Sequence, residues 1–426
     1  MKYTTHTLPN KLQTIYIDTD SFPSFTALLL VDVGSRDESA KLSGMSHFVE
    51  HMTFKGSKKY KTAYDISSTI EGIGAVVNAY TSKDHTGYWV KAPIDHAEKV
   101  LDVMGDMILH SKLEKIEMER EKQVIIEEIN MYEDMPARNI SDIFDEVIFK
   151  GSPLAVDIAG TATTVSAFTQ TQVKAYMNEH YHPNRSILVI SGGIEKHLDT
   201  LKSKIESTFG GWKMGSDITR KHTVLTQSKP QIYIHNKKTE QSHVCLGFTA
   251  FSYNDKRRYT LSVLSALLGG GMSSRMFMQV RERLGLCYYI STSQELYEDV
   301  GHIVTQAGVK NDIATMKKAL RAMYVQYMSL AHGKVTAEEL TRAKELMKGR
   351  LILSLEDSHS VASFIAGQVL ARGEYLTPEQ VLKNIDKVTA EDITNVAKEL
   401  FTPEHMTIAA IGPHTSKDIS ITDVIS

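Results

Sequence analysis

The stretch Gly44-Met45-Ser46-His47-Phe48-Val49-Glu50-His51-Met52 carries the pattern H-x-x-E-H. On a helix His47 and His51 are one turn apart and project from the same face. Two imidazoles so placed can share one metal ion, and the borderline-soft ion that suits them is zinc. Glu50 stands beside the second histidine, so its carboxylate lies next to that metal without needing to bind it. The pattern is the inverse of the commoner H-E-x-x-H metal-site motif. Five residues alone can equally be ordinary helix-surface groups, so a third ligand has to come from elsewhere in the chain.

The stretch is flanked by strands. KLQTIYID and FTALLLVDVGS before it are rich in β-branched and aromatic residues, and the second is apolar enough to be buried on both faces. Ser43 is the expected N-cap of the motif helix and Gly56 its stop. AYDISSTIEGIG reads as a second short helix, and AVVNAYTSKDHTGYWVKAP as a hairpin turning near Ser82–Asp84. Asn78, Thr81, Thr86 and Tyr88 fall on that hairpin and, taken singly, read as its surface. DHAEKVLDVMGDMILHS has helical apolar spacing.

A charged helix, KIEMEREKQVIIEEINMYED, follows, and Val124, Ile125 and Ile129 define its inward face. At 100° per residue Glu121 and Glu128 are two turns apart and about 20° out of line, with Val124 and Ile125 between them. Glu127 is turned away from that pair by about 80° to 120°. Unpaired carboxylates facing a core are expensive, so this pair calls for a cation and supplies candidates for the third metal ligand. The competing reading is solvated charges, or ion pairs with Arg120 or Lys122.

From Pro230 the order of elements recurs. QIYIHNK and HVCLGFTAFS repeat the opening strands, and SVLSALLGGGMSSRMFMQVRE takes the place of the motif helix. ELTRAKELMKGRLILSLEDS parallels EMEREKQVIIEEINMYEDMP. Setting GMSHFVEHM against GMSSRMFMQ puts Ser274 opposite His47, Phe277 opposite Glu50 and Met278 opposite His51. In the charged helices Ala343 falls opposite Glu121 and Arg350 opposite Glu128. Every metal-site group is missing from the second copy while the surrounding pattern persists, which predicts one metal site, in the first half. The second copy carries its own polar set: Arg275, Arg281 and Arg283, then Tyr288 and Tyr289 in GLCYYIST. These residues alone read as surface arginines and half-buried tyrosines. The run Gly269-Gly270-Gly271 lacks the lysine in register that a phosphate loop needs.

The predicted fold is α+β: two homologous domains, each a mostly antiparallel sheet packed with helices. The boundaries expected are 1–212, a polar linker at 213–229, and 230–426. With 426 residues the chain is long enough for two cores. A net charge of -3 argues against a nucleic-acid or anionic-membrane footprint. The two cysteines, Cys245 and Cys287, are too few for a disulfide framework or a thiolate zinc site and fit a reducing compartment. MKYTTHTLPNKLQTIYID shows no apolar or Arg/Ser-rich leader, and no run approaches the roughly 20 apolar residues of a membrane span, so a cytoplasmic location is expected.

Together these residues resemble the pitrilysin/insulinase family of zinc peptidases, over nearly the whole chain and in its short two-domain branch, which is similar to mitochondrial processing peptidase and its bacterial homologues. The family's H-x-x-E-H matches His47, Glu50 and His51, and its V-x-x-E-E-I-type helix matches VIIEEI, which selects Glu128 as the third ligand. A further family glutamate matches Glu121. The N-A-x-T hairpin matches Asn78, Ala79 and Thr81, which implies substrate binding there. The V-R-E-x-x-G-x-x-Y element matches Arg281, Gly285 and Tyr288, which implies contacts to the substrate carbonyl from the second half. The resemblance implies Zn²⁺ as cofactor and hydrolysis of unfolded peptides or flexible termini within a closed chamber. It also implies a partner subunit. Because this chain holds both the zinc set and the Arg/Tyr set, a homodimer is expected, with a heterodimer as the other form. Non-catalytic scaffold members also occur in the family, usually with damaged zinc motifs; here the motif is intact.

Overall fold

The structure is a computed structural model that describes residues 2–20, 22–220, 222–225 and 227–426. Six strands precede residue 193: β1 (Lys2–Thr7), β2 (Gln13–Asp18), β3 (Ser24–Val31), β4 (Val76–Thr81), β5 (Thr86–Pro93) and β6 (Ser186–Gly192). They form one sheet in the order β1-β2-β6-β3-β5-β4. Five follow residue 230: β7 (Gln231–Asn236), β8 (Gln241–Ala250), β9 (Cys287–Leu296), β10 (Gly301–Lys310) and β11 (Met406–Gly412). Their order is β7-β11-β8-β10-β9. With β1 set aside, the two sheets are the same permutation of strands. Each has one parallel pair, β2 with β6 and β7 with β11, and is otherwise antiparallel. The repeat read from the sequence is thus a repeat of topology.

Both faces of each sheet are covered. In β3, Ala27, Leu29 and Val31 join the main core of the first unit, which also takes Met45, Phe48, Val49 and Met52 from the motif helix Met45–Thr53. Leu28 and Leu30 point to the opposite face and are equally buried, which explains the unbroken apolar run. The helix packed against β3 and β6 is Ser358–Arg372, from the second half of the sequence. Its Ser358 Oγ lies 2.9 Å from Thr26 Oγ with both side chains fully buried. The second sheet is covered in the converse way. Ile140 and Phe144 of helix Pro136–Ile148 pack with Cys245, Ala409 and Ile411 on the face of β8 and β11 turned away from the main core of that unit.

The compact units therefore take their chain from both halves. One comprises Met1–Ile129, Val156–Lys221 and Leu353–Leu376; the other comprises Asn130–Ala155, His222–Ile352 and Thr377–Ser426. The segment expected as a linker, 213–229, contains no helix or strand among its described residues.

Three expectations are corrected. The charged helix Lys115–Glu133 buries Met118, Glu121, Lys122 and Ile125, a strict three-four spacing. Val124 lies on the flank of that stripe and is 51% exposed. Thr86 and Tyr88 are not hairpin surface; both are buried, and Thr86 Oγ1 donates to Val33 O. The pairing of GMSH with GMSS also fails. Element order and packing make Arg258–Gly269 the counterpart of the motif helix, since each follows the sheet's central strand. Each packs against the helix that precedes the last strand, Ala390–Leu400 and Gln170–His180 respectively. RYTLSVLSALLG holds no histidine, cysteine or carboxylate in any register, so the second unit still lacks a counterpart of the motif.

Cut between residues 212 and 230, each half loses the helix that covers one face of its own sheet. Residues 1–212 expressed alone are expected to aggregate and bind a hydrophobic dye. Co-expression with 230–426 should restore a cooperative melt by circular dichroism. A monomeric, cooperatively melting 1–212 would contradict this account.

Candidate metal centre

The motif helix begins at Gly44, whose φ of 92° is open to glycine, rather than at Ser43. Its first amides are satisfied by Glu38, whose carboxylate accepts from Gly44 N at 2.7 Å and Ser46 N at 2.6 Å. Burial pushes the Glu38 carboxyl up to about 8 against the pull of those amides. Ser46 Oγ meets Tyr176 OH at 2.7 Å and ties the helix to its neighbour.

One turn of this helix separates His47 and His51, and their Nε2 atoms are 3.2 Å apart. Glu128 Oε2 reaches in from the charged helix, 3.7 Å from His47 Nε2 and 3.6 Å from His51 Nε2. A tetrahedral zinc with Zn–N and Zn–O bonds near 2.1 Å sets its ligand atoms about 3.4 Å apart. The triangle fits that ion, and it leaves a fourth corner open.

Glu121 completes the arrangement from the same helix as Glu128. Its Oε1 is 2.8 Å from His51 Nδ1, and its Oε2 is 2.7 Å from Lys55 Nζ. Burial disfavours the Glu121 charge, but hydrogen bonds from His51 and Lys55 outweigh it and hold the carboxyl below its ordinary range. Burial also opposes a charged His51, yet the Glu121 bond and the charges of Glu50, Glu121 and Glu128 raise its pKa. For His47 burial, then the neighbouring His51, outweigh the pull of the Glu121 charge and bring it down to about 3. It is therefore the neutral imidazole that a metal requires.

Glu50 is 8% exposed, and burial raises its carboxyl above the ordinary range. Thr81 Oγ1, at the end of β4, donates to Glu50 Oε2 at 2.5 Å. Asn78 and Ala79 lie further back on the same edge strand, which pairs only with β5 in its sheet. Asn78 is exposed, and its Oδ1 accepts from Ala79 N at 2.9 Å.

Arg281 and Tyr288 belong to the other unit. Arg281 lies in the π-helical segment Phe277–Arg283, where its Nε donates to the Tyr288 carbonyl at 2.8 Å and its guanidinium covers the Phe277 ring. The Tyr288 side chain is 76% exposed.

Sequence reasoning missed Lys55 and Glu38. Lys55 stands four residues after His51, a spacing that could have found it; Glu38 reaches its helix through a loop, which leaves no periodic signal. A second acidic group, Asp18, Asp20 and Glu195, offers only oxygen ligands, and Lys2 Nζ already lies 2.6 Å from Glu195. In the second unit the corresponding helices line a small pocket with Ala266, Leu267, Ala343 and Leu346, and with Glu339 and Arg342.

A sheet-and-helix unit with paired histidines, a carboxylate as third candidate ligand and a buried glutamate beside them suits a metallopeptidase. Comparison with known proteins agrees. Residues 14–162 match the family described as insulinase (peptidase family M16), and residues 167–347 match the peptidase M16 inactive domain. The chain is 33% identical to an uncharacterized zinc protease of Bacillus subtilis, covering 96% of this chain and 98% of that protein. An uncharacterized zinc protease of Mycobacterium leprae is 32% identical, covering 96% and 92%. A protease structure from Helicobacter pylori superposes with a TM-score of 0.90 at 22% identity, covering 97% of this chain and 99% of that one. The chain belongs to the insulinase family, peptidase family M16.

Zinc loading here would displace a proton from His51 but not from His47, which burial keeps neutral above about pH 3. Below the raised pKa of His51 the apparent zinc affinity should fall about tenfold per pH unit. Calorimetric titration at several pH values checks this slope; a hundredfold loss per unit would show that both histidines are charged. Glu121→Gln should weaken zinc binding about 10- to 100-fold in competition with a chelator if the Glu121 bond to His51 Nδ1 orients a metal ligand.

Proposed function

We propose that the protein is a zinc-dependent metalloendopeptidase. The observation that carries this reading is the Nε2, Nε2, Oε2 triangle of His47, His51 and Glu128 with the buried Glu50 carboxylate beside it. When bound, zinc supplies Lewis acidity that lowers the pKa of water from 15.7 towards about 7. Glu50 then acts as the proton carrier: it takes the proton of the attacking water and returns it to the leaving amine. Its burial raises the carboxyl pKa towards the range in which both transfers are efficient near neutral pH. Thr81 fixes one oxygen of that carboxylate and leaves the other for the transfer. Glu121, with Lys55 behind it, holds His51 by Nδ1 so that Nε2 faces the metal.

Substrate would enter as an unfolded peptide or a flexible terminus and add to β4 as an extra strand, held by backbone hydrogen bonds with weak side-chain selection. The open edge of β4 supports this, and the Asn78 carbonyl would have to release the Ala79 amide as the peptide docks. Tyr288 and Arg281 are assigned to the substrate carbonyl. The bond from Arg281 to the Tyr288 backbone, with the phenol left exposed, suits that role. A closed chamber and a homodimer, with a heterodimer as the other form, follow from the family resemblance and belong to the same reading. The description of residues 167–347 as an inactive domain accords with the absence of a metal set from the described residues of the second unit, while the first unit carries His47, His51 and Glu128.

Glu50→Gln separates catalysis from scaffolding. Zinc should still bind at about one ion per chain, while hydrolysis of a quenched unstructured peptide should fall by about 100- to 10,000-fold. Undiminished hydrolysis by the glutamine variant would overturn the assignment of Glu50.

A further inference from the structure

We propose that Arg220 is a positioning residue for this hydrolysis: it clamps the turn between β4 and β5 and so holds the Thr81 hydroxyl on Glu50. The inference rests on the peptidase reading above. Thr81 is the last residue of an edge strand, so within the sheet it is supported from one side only. Its other support comes from the turn that follows. Within the turn, Ser82 N donates to His85 O at 2.8 Å, and His85 N donates to Ser82 Oγ at 3.0 Å.

The loop after β3 docks against this turn. Ser35 N donates to Ser82 O and Arg36 N to Lys83 O, each at 3.1 Å. The approach depends on Gly34, because a Cβ there would lie 2.3 Å from Lys83 O. Arg36, with its side chain buried, donates to Asp84 Oδ1 at 2.9 Å.

Arg220 then closes the assembly from a distant part of the chain. Its Nε and Nη2 grip Asp37 at 2.8 and 2.9 Å, and Nη2 also reaches Asp32 Oδ1 at 3.0 Å and Asp84 O at 2.9 Å. One planar guanidinium thus joins the loop after β3 to the hairpin turn, a task that needs its fork of donors and that a lysine cannot copy. The Asp32, Asp37 and Asp84 carboxylates face the Arg220 and Arg36 guanidiniums, so loss of Arg220 removes a counter-charge as well as a link. Burial works against the Arg220 charge, but its bonds to Asp37 and the nearby carboxylates hold it firmly protonated. Arg220 grips the turn at Asp84, three residues from Thr81, the docked loop reaches Ser82 next to it, and Thr81 ends on the Glu50 carboxylate at 2.5 Å.

The test uses the zinc-loaded full chain and the variants Arg220→Met, Arg220→Lys, Thr81→Val and the Arg220→Met/Thr81→Val double. Should Arg220→Met unfold, Arg220→Met/Asp37→Asn takes its place, because it also removes the charge left behind. Arg220→Met is expected to lower kcat by about 10- to 100-fold with KM little changed and zinc content intact. Arg220→Lys should recover only part of that loss. The double variant should be scarcely worse than Thr81→Val alone, since both act through one contact. Amide exchange over residues 76–86 should speed up in Arg220→Met while the motif helix keeps its protection. Multiplying kcat losses in the double variant would overturn the proposal, as would unchanged exchange at 76–86 whatever the activity. A wild-type chain that binds zinc and cleaves nothing would instead sink the peptidase reading, and the exchange measurement would still decide the clamp.

Discussion

A carboxylate with 4% exposure inside the first unit, Glu121, is the constraint on which the site depends. It cannot stay ionised there without partners, and it has one for each oxygen, His51 Nδ1 and Lys55 Nζ. An ionised carboxylate can only accept, so His51 carries its proton on Nδ1 and turns the Nε2 lone pair towards His47 and Glu128. The hydrogen bond that helps satisfy a buried charge therefore also sets the tautomer of a proposed metal ligand. Glu50, one residue away, is left with a hydroxyl rather than a cation, and its carboxyl stays above the ordinary range. Glu50 and Glu121, on either side of the candidate metal site, are thus driven to opposite protonation behaviour by their neighbours, which suits the orienting and proton-carrying roles proposed for them.

The rest of the molecule holds these groups still. The motif helix is pinned at its start by Glu38 and buried along one side by Met45, Phe48, Val49 and Met52. The charged helix offers Glu121 and Glu128 from positions seven apart, two turns of one face. In the second unit the same two helix positions carry Ala343 and Arg350, and the helix opposite carries only apolar and hydroxylic residues in the corresponding turns. The two units share a topology but not these charges, so only the first carries the candidate metal set among the described residues.

Much of this was legible in the chain. The H-x-x-E-H spacing is a statement about helix period, and so is the shared face of Glu121 and Glu128; both survive in three dimensions because they are local. The strands were legible from β-branched runs, and the repeat from their order. What escaped depended on tertiary contacts. Helical periodicity gives Pro136–Ile148 an apolar face but does not say that this face covers the sheet of the other half, and Ser358–Arg372 is apolar nearly all round, so its pattern does not say which sheet it covers. Val124 sits beside Ile125 in sequence yet falls off the narrow buried stripe of Met118, Glu121, Lys122 and Ile125. Arg220 lies in a polar stretch without periodicity, and its three aspartate contacts come from positions 32, 37 and 84. The alignment of GMSHFVEHM with GMSSRMFMQ matched letters where the fold matches helices.

The most direct test of the central claim is hydrolysis of a quenched, unstructured peptide by the purified chain, with its zinc content measured, before chelation, after chelation and after zinc is returned. The account predicts about one zinc per chain, activity abolished by the chelator, and recovery of both together on zinc addition. A chain that binds no zinc, or one whose peptide hydrolysis persists when the metal is gone, would contradict it.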